Sequence, residues 1–341
     1  MDNTGCIFQE KGIDFGTDDV CDCPITHNDG RGRPLLISDY HGSAIDWEKL
    51  FYIKEKRINE QKEKTICECK NCYHLDGYKF SGIKKISELN FSSSCLCNAK
   101  CVYCSSIHSD GGYNYDLYPI VCDLINKGYY EPGGEATFQG GEPTLMLNFE
   151  KLLSLLIEKG TNAKIHTNGI ICTNAIIEAL KNSKASVVIS PDSGTAKTYK
   201  RIKQVDCFDK VCHSIEEYSK ANNKNLLIKY LIVPGYNDNI KEIDMFFNLM
   251  RKLNVINVAL EIEVQYARKY ENKNLSKHIF LLVDYFLKTA ASYNIKVIIY
   301  SFLSYVLKNK PNNIPNVISE HATKFFMILY KNVFKNIKYN R

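Results

Sequence analysis

From about residue 84 onward, short apolar runs alternate with longer segments in which apolar residues recur every three or four positions. The runs Ile86–Phe91, Ala136–Phe138, Ala163–His166, Ala185–Ser190, Leu226–Val233 and Val258–Val264 predict strands. The periodic segments 115–127, 148–158, 174–182, 208–222 and 240–253 predict helices. This alternation predicts a parallel sheet covered by helices, and right-handed crossovers curl such a sheet towards a barrel. The strand count falls short of a closed eight-stranded barrel. The expected fold is therefore α/β, a partial (β/α)6 barrel over residues 84–265. A long helix (276–293), a strand (295–300) and a terminal helix follow, giving a C-terminal helix-strand-helix extension over 266–341. Residues 1–80 carry little periodicity apart from one charged helix at 46–64. Turn-rich stretches separate their cysteines, which predicts a small cysteine-rich module.

Composition adds limits. Hydrophobic residues make up 45% and charged residues 24%, the balance of a soluble globular protein. No apolar run approaches the roughly 20 residues of a membrane span. The start, MDNTGCIFQEKG, lacks the pattern of a secretory signal, so a cytoplasmic location is expected. The net charge of +6 is mixed along the chain and reads as solubility, so no nucleic-acid partner is expected. The last segment is an exception. Ile318, Phe325, Leu329, Val333 and Ile337 form an apolar stripe, opposed by Lys324, Lys331, Lys335 and Lys338. It reads either as a contact for an acidic surface or as a closing helix over the barrel, and the second is preferred because amphipathic surface helices are the rule in globular folds.

The 14 cysteines carry the candidate chemistry. In a reducing compartment, clustered thiols point to metal before disulfides. After the first barrel strand stand Cys97, Cys101 and Cys104, spaced C-x3-C-x2-C. Three thiolates on one loop can bind three irons of a cubane cluster and leave the fourth open to a ligand. The spacing also permits zinc, with Cys95 or His108 as a fourth ligand.

The order of further motifs separates these readings. Gly140-Gly141-Glu142-Pro143 follows the second strand, and Thr167-Asn168-Gly169 the third. Ser190-Pro191-Asp192 lies at the fourth, and Val233-Pro234-Gly235-Tyr236-Asn237 at the fifth. With Tyr103 in the aromatic place of C-x3-C-x-aromatic-C, the chain resembles the radical S-adenosylmethionine (SAM) superfamily over about residues 84–264. The resemblance implies a 4Fe–4S cluster on Cys97, Cys101 and Cys104, SAM as cofactor, and a 5′-deoxyadenosyl radical that takes hydrogen from a substrate. It implies that Gly140, Gly141, Glu142 and Pro143 hold the methionine end, the glycines letting backbone approach the ligand. It gives Thr167, Asn168, Ser190 and Asp192 to ribose hydroxyls or the carboxylate, and Arg201 to that carboxylate. It gives Tyr103 and Val233 to adenine in preference to the alternative that both are core. An electron donor such as flavodoxin or ferredoxin is expected.

Cys6, Cys21, Cys69 and Cys72 resemble the ligands of a SPASM or twitch auxiliary module, with Cys23 and Cys67 as alternates. In most relatives that module follows the barrel, whereas here it would precede it. A second 4Fe–4S cluster and a structural zinc are both open there. Cys207 and Cys212, after the fourth strand, are candidate hydrogen-atom donors. The expected substrate is a peptide that is oxidised, cross-linked or epimerised. The alternatives are a sugar, aminoglycoside or other small metabolite, and an iron–sulfur electron-transfer protein without catalysis.

Overall fold

The computed structural model describes residues 5–24, 34–63, 69, 78–104, 114–263 and 277–299. Cys67, Cys72, His108 and the expected terminal helix with its apolar and basic stripes lie outside them. The described chain divides into two compact units. The first holds residues up to Asn98, Ser105–Thr167 and Thr173–Val187; the second holds Ala99–Cys104, Asn168–Cys172 and the chain from Val188.

The first unit is built on an open sheet. In chain order its elements are α1 (Ile7–Lys11), β1 (Gly12–Phe15), β2 (Asp19–Cys21), β3 (Leu35–Ser38) and α2 (Trp47–Lys62). Then come β4 (Ile86–Phe91), α3 (Tyr118–Asn126), β5 (Tyr130–Phe138), α4 (Phe149–Glu158), β6 (Asn162–Thr167) and α5 (Asn174–Lys181). The strands run in the order β6-β5-β4-β1-β2-β3. β4, β5 and β6 are parallel neighbours, each pair joined through a helix. β1 lies parallel to β4 with Asp14 opposite Asn90 and Phe15 opposite Phe91. β2 and β3 then continue antiparallel.

The residues before β4 thus form an extension of the sheet rather than a patternless segment. Four-residue strands separated by turns are too short for periodicity to show. β5 begins at Tyr130, before the expected Ala136, because Pro132-Gly133-Gly134 reads as a turn in sequence. In the fold these residues bulge, and the register against β4 jumps between Ile86 and Glu88.

Strand alternation fixes which face is buried under helices. Phe15, Phe91 and Phe138 stack in a row, with centroids 5.8 Å and 4.8 Å apart. Phe138 meets Phe149 of α4 edge-on at 5.3 Å. This row therefore faces the helices, and the residues that alternate with it face the other side of the sheet.

β7 (Ala185–Ile189) passes from the first unit into the second. There follow α6 (Ala196–Lys203), α7 (Phe208–Asn222), β8 (Leu226–Ile232), α8 (Ile240–Lys252), β9 (Asn257–Ile262), α9 (Lys277–Ser292) and β10 (Lys296–Ile299). β8, β9 and β10 are parallel neighbours. Their helix-side core is aromatic: Tyr230, Phe246, Phe247 and Phe286 are all fully buried against one another. α6 was not expected from sequence. It is short and mostly polar, capped by the Thr195 side chain on the Thr198 amide, and its buried residues are Thr198, Tyr199, Ile202 and Lys203. No described helix is long and apolar enough to cross a membrane.

Candidate functional site

In the first unit, β4 runs into the segment Ser92–Cys97, which is tied by its backbone to the Gly140–Pro143 turn. The Gly141 amide donates to the Ser94 carbonyl and the Glu142 amide to the Leu96 carbonyl, both at 2.7 Å. Gly140 holds φ +104°, open to glycine at little cost. A Cβ on Gly141 would stand 2.2 Å from the Leu96 carbonyl oxygen. The glycine pair suggests space for a ligand; in the structure the backbone of the cysteine segment fills it at Gly141. Glu142 is only 2% exposed. One of its carboxylate oxygens accepts from the Thr144 amide (3.2 Å), the Thr144 hydroxyl (2.7 Å) and the Thr167 hydroxyl (2.7 Å). Thr167, expected on a cofactor, thus binds Glu142, and Pro143 is buried at the start of a 3-10 turn.

On the face turned away from the helices the same strands carry a polar row that sequence reading missed. Gln139 donates through Nε2 to Asn90 Oδ1 at 3.0 Å. Asn90 Nδ2 donates to Asp14 Oδ1, which also accepts from the Ser92 hydroxyl at 3.1 Å. Asp14 and Asn90 are 1% and 5% exposed. An ionised carboxylate only accepts, so the Asp14 end orients both amides and leaves the Gln139 carbonyl oxygen at the half-buried end of the row. Alternation in Ile13-Asp14-Phe15 and Leu89-Asn90-Phe91 was the available signal, but it needs the strand pairing to mean anything. Further along this face Glu88 stands in register with Glu135, which pairs with Lys164 at 2.6 Å. Burial, then the charge of Glu135, raises Glu88 to about 7.

In the second unit the cysteine segment is held from both sides of Cys101. The Lys100 amide donates to the Lys203 carbonyl and the Val102 amide to the Ile202 carbonyl, both at 2.9 Å. These are the last carbonyls of α6, which have no partner inside their own helix. The Lys203 ammonium is buried. It lies 2.6 Å from the Asp192 carboxylate and 2.6 Å from the Tyr103 hydroxyl, which itself donates to Asp192 at 2.5 Å. Asp192 is fully buried at φ +56°, and its second oxygen accepts from the Leu231 amide at 2.9 Å. Expected on a ribose or a carboxylate, Asp192 instead turns inward, with both oxygens bound within the protein. Asn237 completes the tether, donating to the carbonyls of Asp192 and Leu231 and accepting from the Val233 amide.

The remaining expected residues divide. Val233 is buried with Ile202 and Leu231, and Tyr103 packs on this cluster, so their apolar surface is core. Arg201 is exposed, donates to the Gly235 carbonyl at 3.2 Å and lies over the Tyr236 ring. Asn168 accepts from the Ile170 amide in a turn, and Asn168 and Ser190 are half-buried. Cys207 and Cys212 are half-buried at the start of α7, and burial raises the Cys212 thiol to about 11.

Cys97 is exposed and Cys101 and Cys104 are half-buried; no disulfide joins the described cysteines. No three His, Cys, Asp or Glu side chains among the described residues are gathered to hold a metal ion. The fit of an iron–sulfur cluster rests on the donor set: three reachable thiols on one stretch whose backbone is pinned next to Cys97 and on both sides of Cys101. Binding would draw the thiols together, as metal sites commonly do. Near the N-terminus Cys6 and Cys21 are buried, and Cys23 and Cys69 are half-buried. Gln9 donates to the Cys69 sulfur at 3.4 Å, and Asp22, between Cys21 and Cys23, is held by Lys54 and Arg57 at 2.9 Å each.

Residues 91–250, just under half the chain, match the family described as the radical SAM superfamily. A GTP 3′,8-cyclase of Clostridium botulinum (strain Okra / Type B1) is 29% identical over 174 residues, which are 50% of this chain and 54% of that protein. A probable GTP 3′,8-cyclase of Sulfurisphaera tokodaii is 27% identical over 185 residues, 53% of this chain and 54% of that protein. The chain spans about half the length of the curated relatives it matches. The crystal structure of Streptococcus suis SuiB bound to precursor peptide SuiA aligns with a TM-score of 0.50 at 15% identity, over 82% of this chain and 58% of that one. That likeness is one of fold.

Proposed function

We propose that this chain, a radical SAM enzyme by its domain over residues 91–250, takes a hydrogen atom from a small polar molecule. The observation that carries the reading is the tie between the cysteine segment and the Gly140–Pro143 turn, through Gly141 to Ser94 and Glu142 to Leu96. Cys97, Cys101 and Cys104 would hold a 4Fe–4S cluster, which when bound would supply the electron for reductive cleavage of SAM to methionine and a 5′-deoxyadenosyl radical. The chain's own part is to hold and to exclude. Glu142, fixed by Thr144 and Thr167, sets negative charge beside the turn for the methionine ammonium. Asn168 and Ser190 keep accessible polar surface for ribose. Electrons come from a small carrier such as flavodoxin or ferredoxin.

Two observations favour a small polar target over the expected peptide. The row Gln139–Asn90–Asp14 ends in an acceptor for a hydroxyl or amine. The curated relatives are named for GTP, itself a small polar molecule. The cysteines at 6, 21, 69 and 72, with 23 and 67 as alternates, are proposed to hold a second, auxiliary 4Fe–4S cluster. The test is anaerobic reconstitution, reduction with dithionite and assay of 5′-deoxyadenosine, with and without a panel of polyols, amino sugars, nucleotides and short peptides. Faster cleavage with a small polar compound supports the reading. No cleavage overturns the activity, and acceleration by peptides alone overturns the substrate class.

A further inference from the structure

Lys203 is the one buried cation of the second unit held directly against a residue of the cysteine segment, among the described residues. Three bonds place it. Its ammonium meets the Asp192 carboxylate and the Tyr103 hydroxyl, each at 2.6 Å, and stands 5.0 Å from the Tyr103 ring centre. Its carbonyl takes the Lys100 amide, and that of its neighbour Ile202 takes the Val102 amide. The backbone of α6 thus clamps Cys101 on both flanks, and the buried ammonium lies against Tyr103, two residues further along the same segment.

A buried ion pair alone is weak support for a fold, since apolar groups of similar size often serve as well. An ion pair placed beside a prospective cluster ligand has a further effect. A hydrogen bond or a nearby positive charge stabilises electron density on sulfur, and sulfur hydrogen bonds are among the terms that set a cluster's potential. Asp192 and Tyr103 keep the ammonium from turning away, and Asn237 keeps Asp192 in place.

We propose that Lys203 is a positioning residue of the SAM-binding cluster: it fixes Cys101 and, by its positive charge beside that ligand, raises the cluster's reduction potential. This rests on the function proposed above. The competing account is that the Lys203–Asp192 pair only staples α6 to β8. The two separate on a measurement of potential.

The test uses the full chain, reconstituted anaerobically, with redox titration followed by electron paramagnetic resonance. The signal of interest is the one absent from the C97A/C101A/C104A variant. The variant is K203M/D192N, which removes both charges together and so leaves no unpaired buried ion. It should keep its iron and its unfolding transition. At a fixed potential its ratio of reduced to oxidised cluster should fall about tenfold, a midpoint 59 mV more negative for a one-electron couple. K203R, which retains charge and donors, should recover most of the shift. An unchanged midpoint in iron-loaded K203M/D192N overturns the proposal. The unmodified protein supplies a second reading that needs no variant to fold. With lysine labelled with 15N at Nζ, the reduced cluster should show a hyperfine coupling to a lysine nitrogen, and its absence also overturns the proposal. Failure of the unmodified chain to assemble this cluster sinks the function itself, whereas a cluster indifferent to Lys203 sinks only this inference.

Discussion

At Gly141 the space for one methyl group decides whether the cysteine segment can lie where it does. Its Cβ position is 2.2 Å from the Leu96 carbonyl, a backbone atom that cannot swing aside. Gly141→Val should therefore displace residues 94–97. Iron uptake should fall severalfold, read by iron analysis after reconstitution, with loss of SAM binding following from that. Full iron loading in G141V would show that the segment adapts. Glu88 gives a second test at this scale. Its folded value of about 7 lies above its ordinary 4.5, through burial first and Glu135 second. The folded state therefore holds the proton more tightly, and the stability this contributes is complete below about pH 4.5 and lost as pH rises through 7. The contribution is at most a few kcal/mol, because one pKa unit is about 1.4 kcal/mol. Glu88→Gln cannot ionise, so its melting temperature should exceed that of the unmodified chain above pH 7 and converge with it near pH 5. A constant difference across that range would show that Glu88 does not titrate in the fold.

Among the elements, β1 and α6 carry more than their lengths suggest. β1 has four residues, yet it covers the edge of β4 and sets Asp14 opposite Asn90. Without it, β4 would present an unpaired, apolar edge, which invites aggregation. A chain started at residue 80 should accordingly be recovered in the insoluble fraction. A soluble, monomeric product with an intact circular dichroism spectrum would show that the 84–265 region folds alone. α6 depends on its cap. Thr195→Ala removes the side-chain acceptor of the Thr198 amide and should cost about 1 kcal/mol in denaturant unfolding. Because α6 ends on Lys203, the same change should also loosen the grip on Cys101.

For the whole molecule the useful quantity is iron per chain. One site-differentiated cluster requires about four irons, and an added auxiliary cluster about eight. Reconstituted protein should bind about eight, and C97A/C101A/C104A about four with no SAM cleavage. Four irons in the unmodified chain, all lost in that triple variant, would leave the N-terminal thiols to packing or zinc.

The sequence alone determined the βα order, the strand β4, the helices α4, α5, α7 and α8, and the three-cysteine motif. Each of these is local: periodicity and spacing within a dozen residues encode it. The tertiary structure alone decided which motif residues face inward. Asp192 reads as a ligand residue until β8 and α6 surround it. The glycines of the Gly140–Pro143 turn read as a cradle until Leu96 arrives at the same place. Lys203 carries no mark in sequence, and the alternation around Asp14 and Asn90 gains its meaning only from strand pairing. Lys203 stands 11 residues from Asp192, and Asn90 stands 76 residues from Asp14. Such contacts exist only once strands have paired in register, because side chains on a strand take their face, and so their chemistry, from the neighbour beside them.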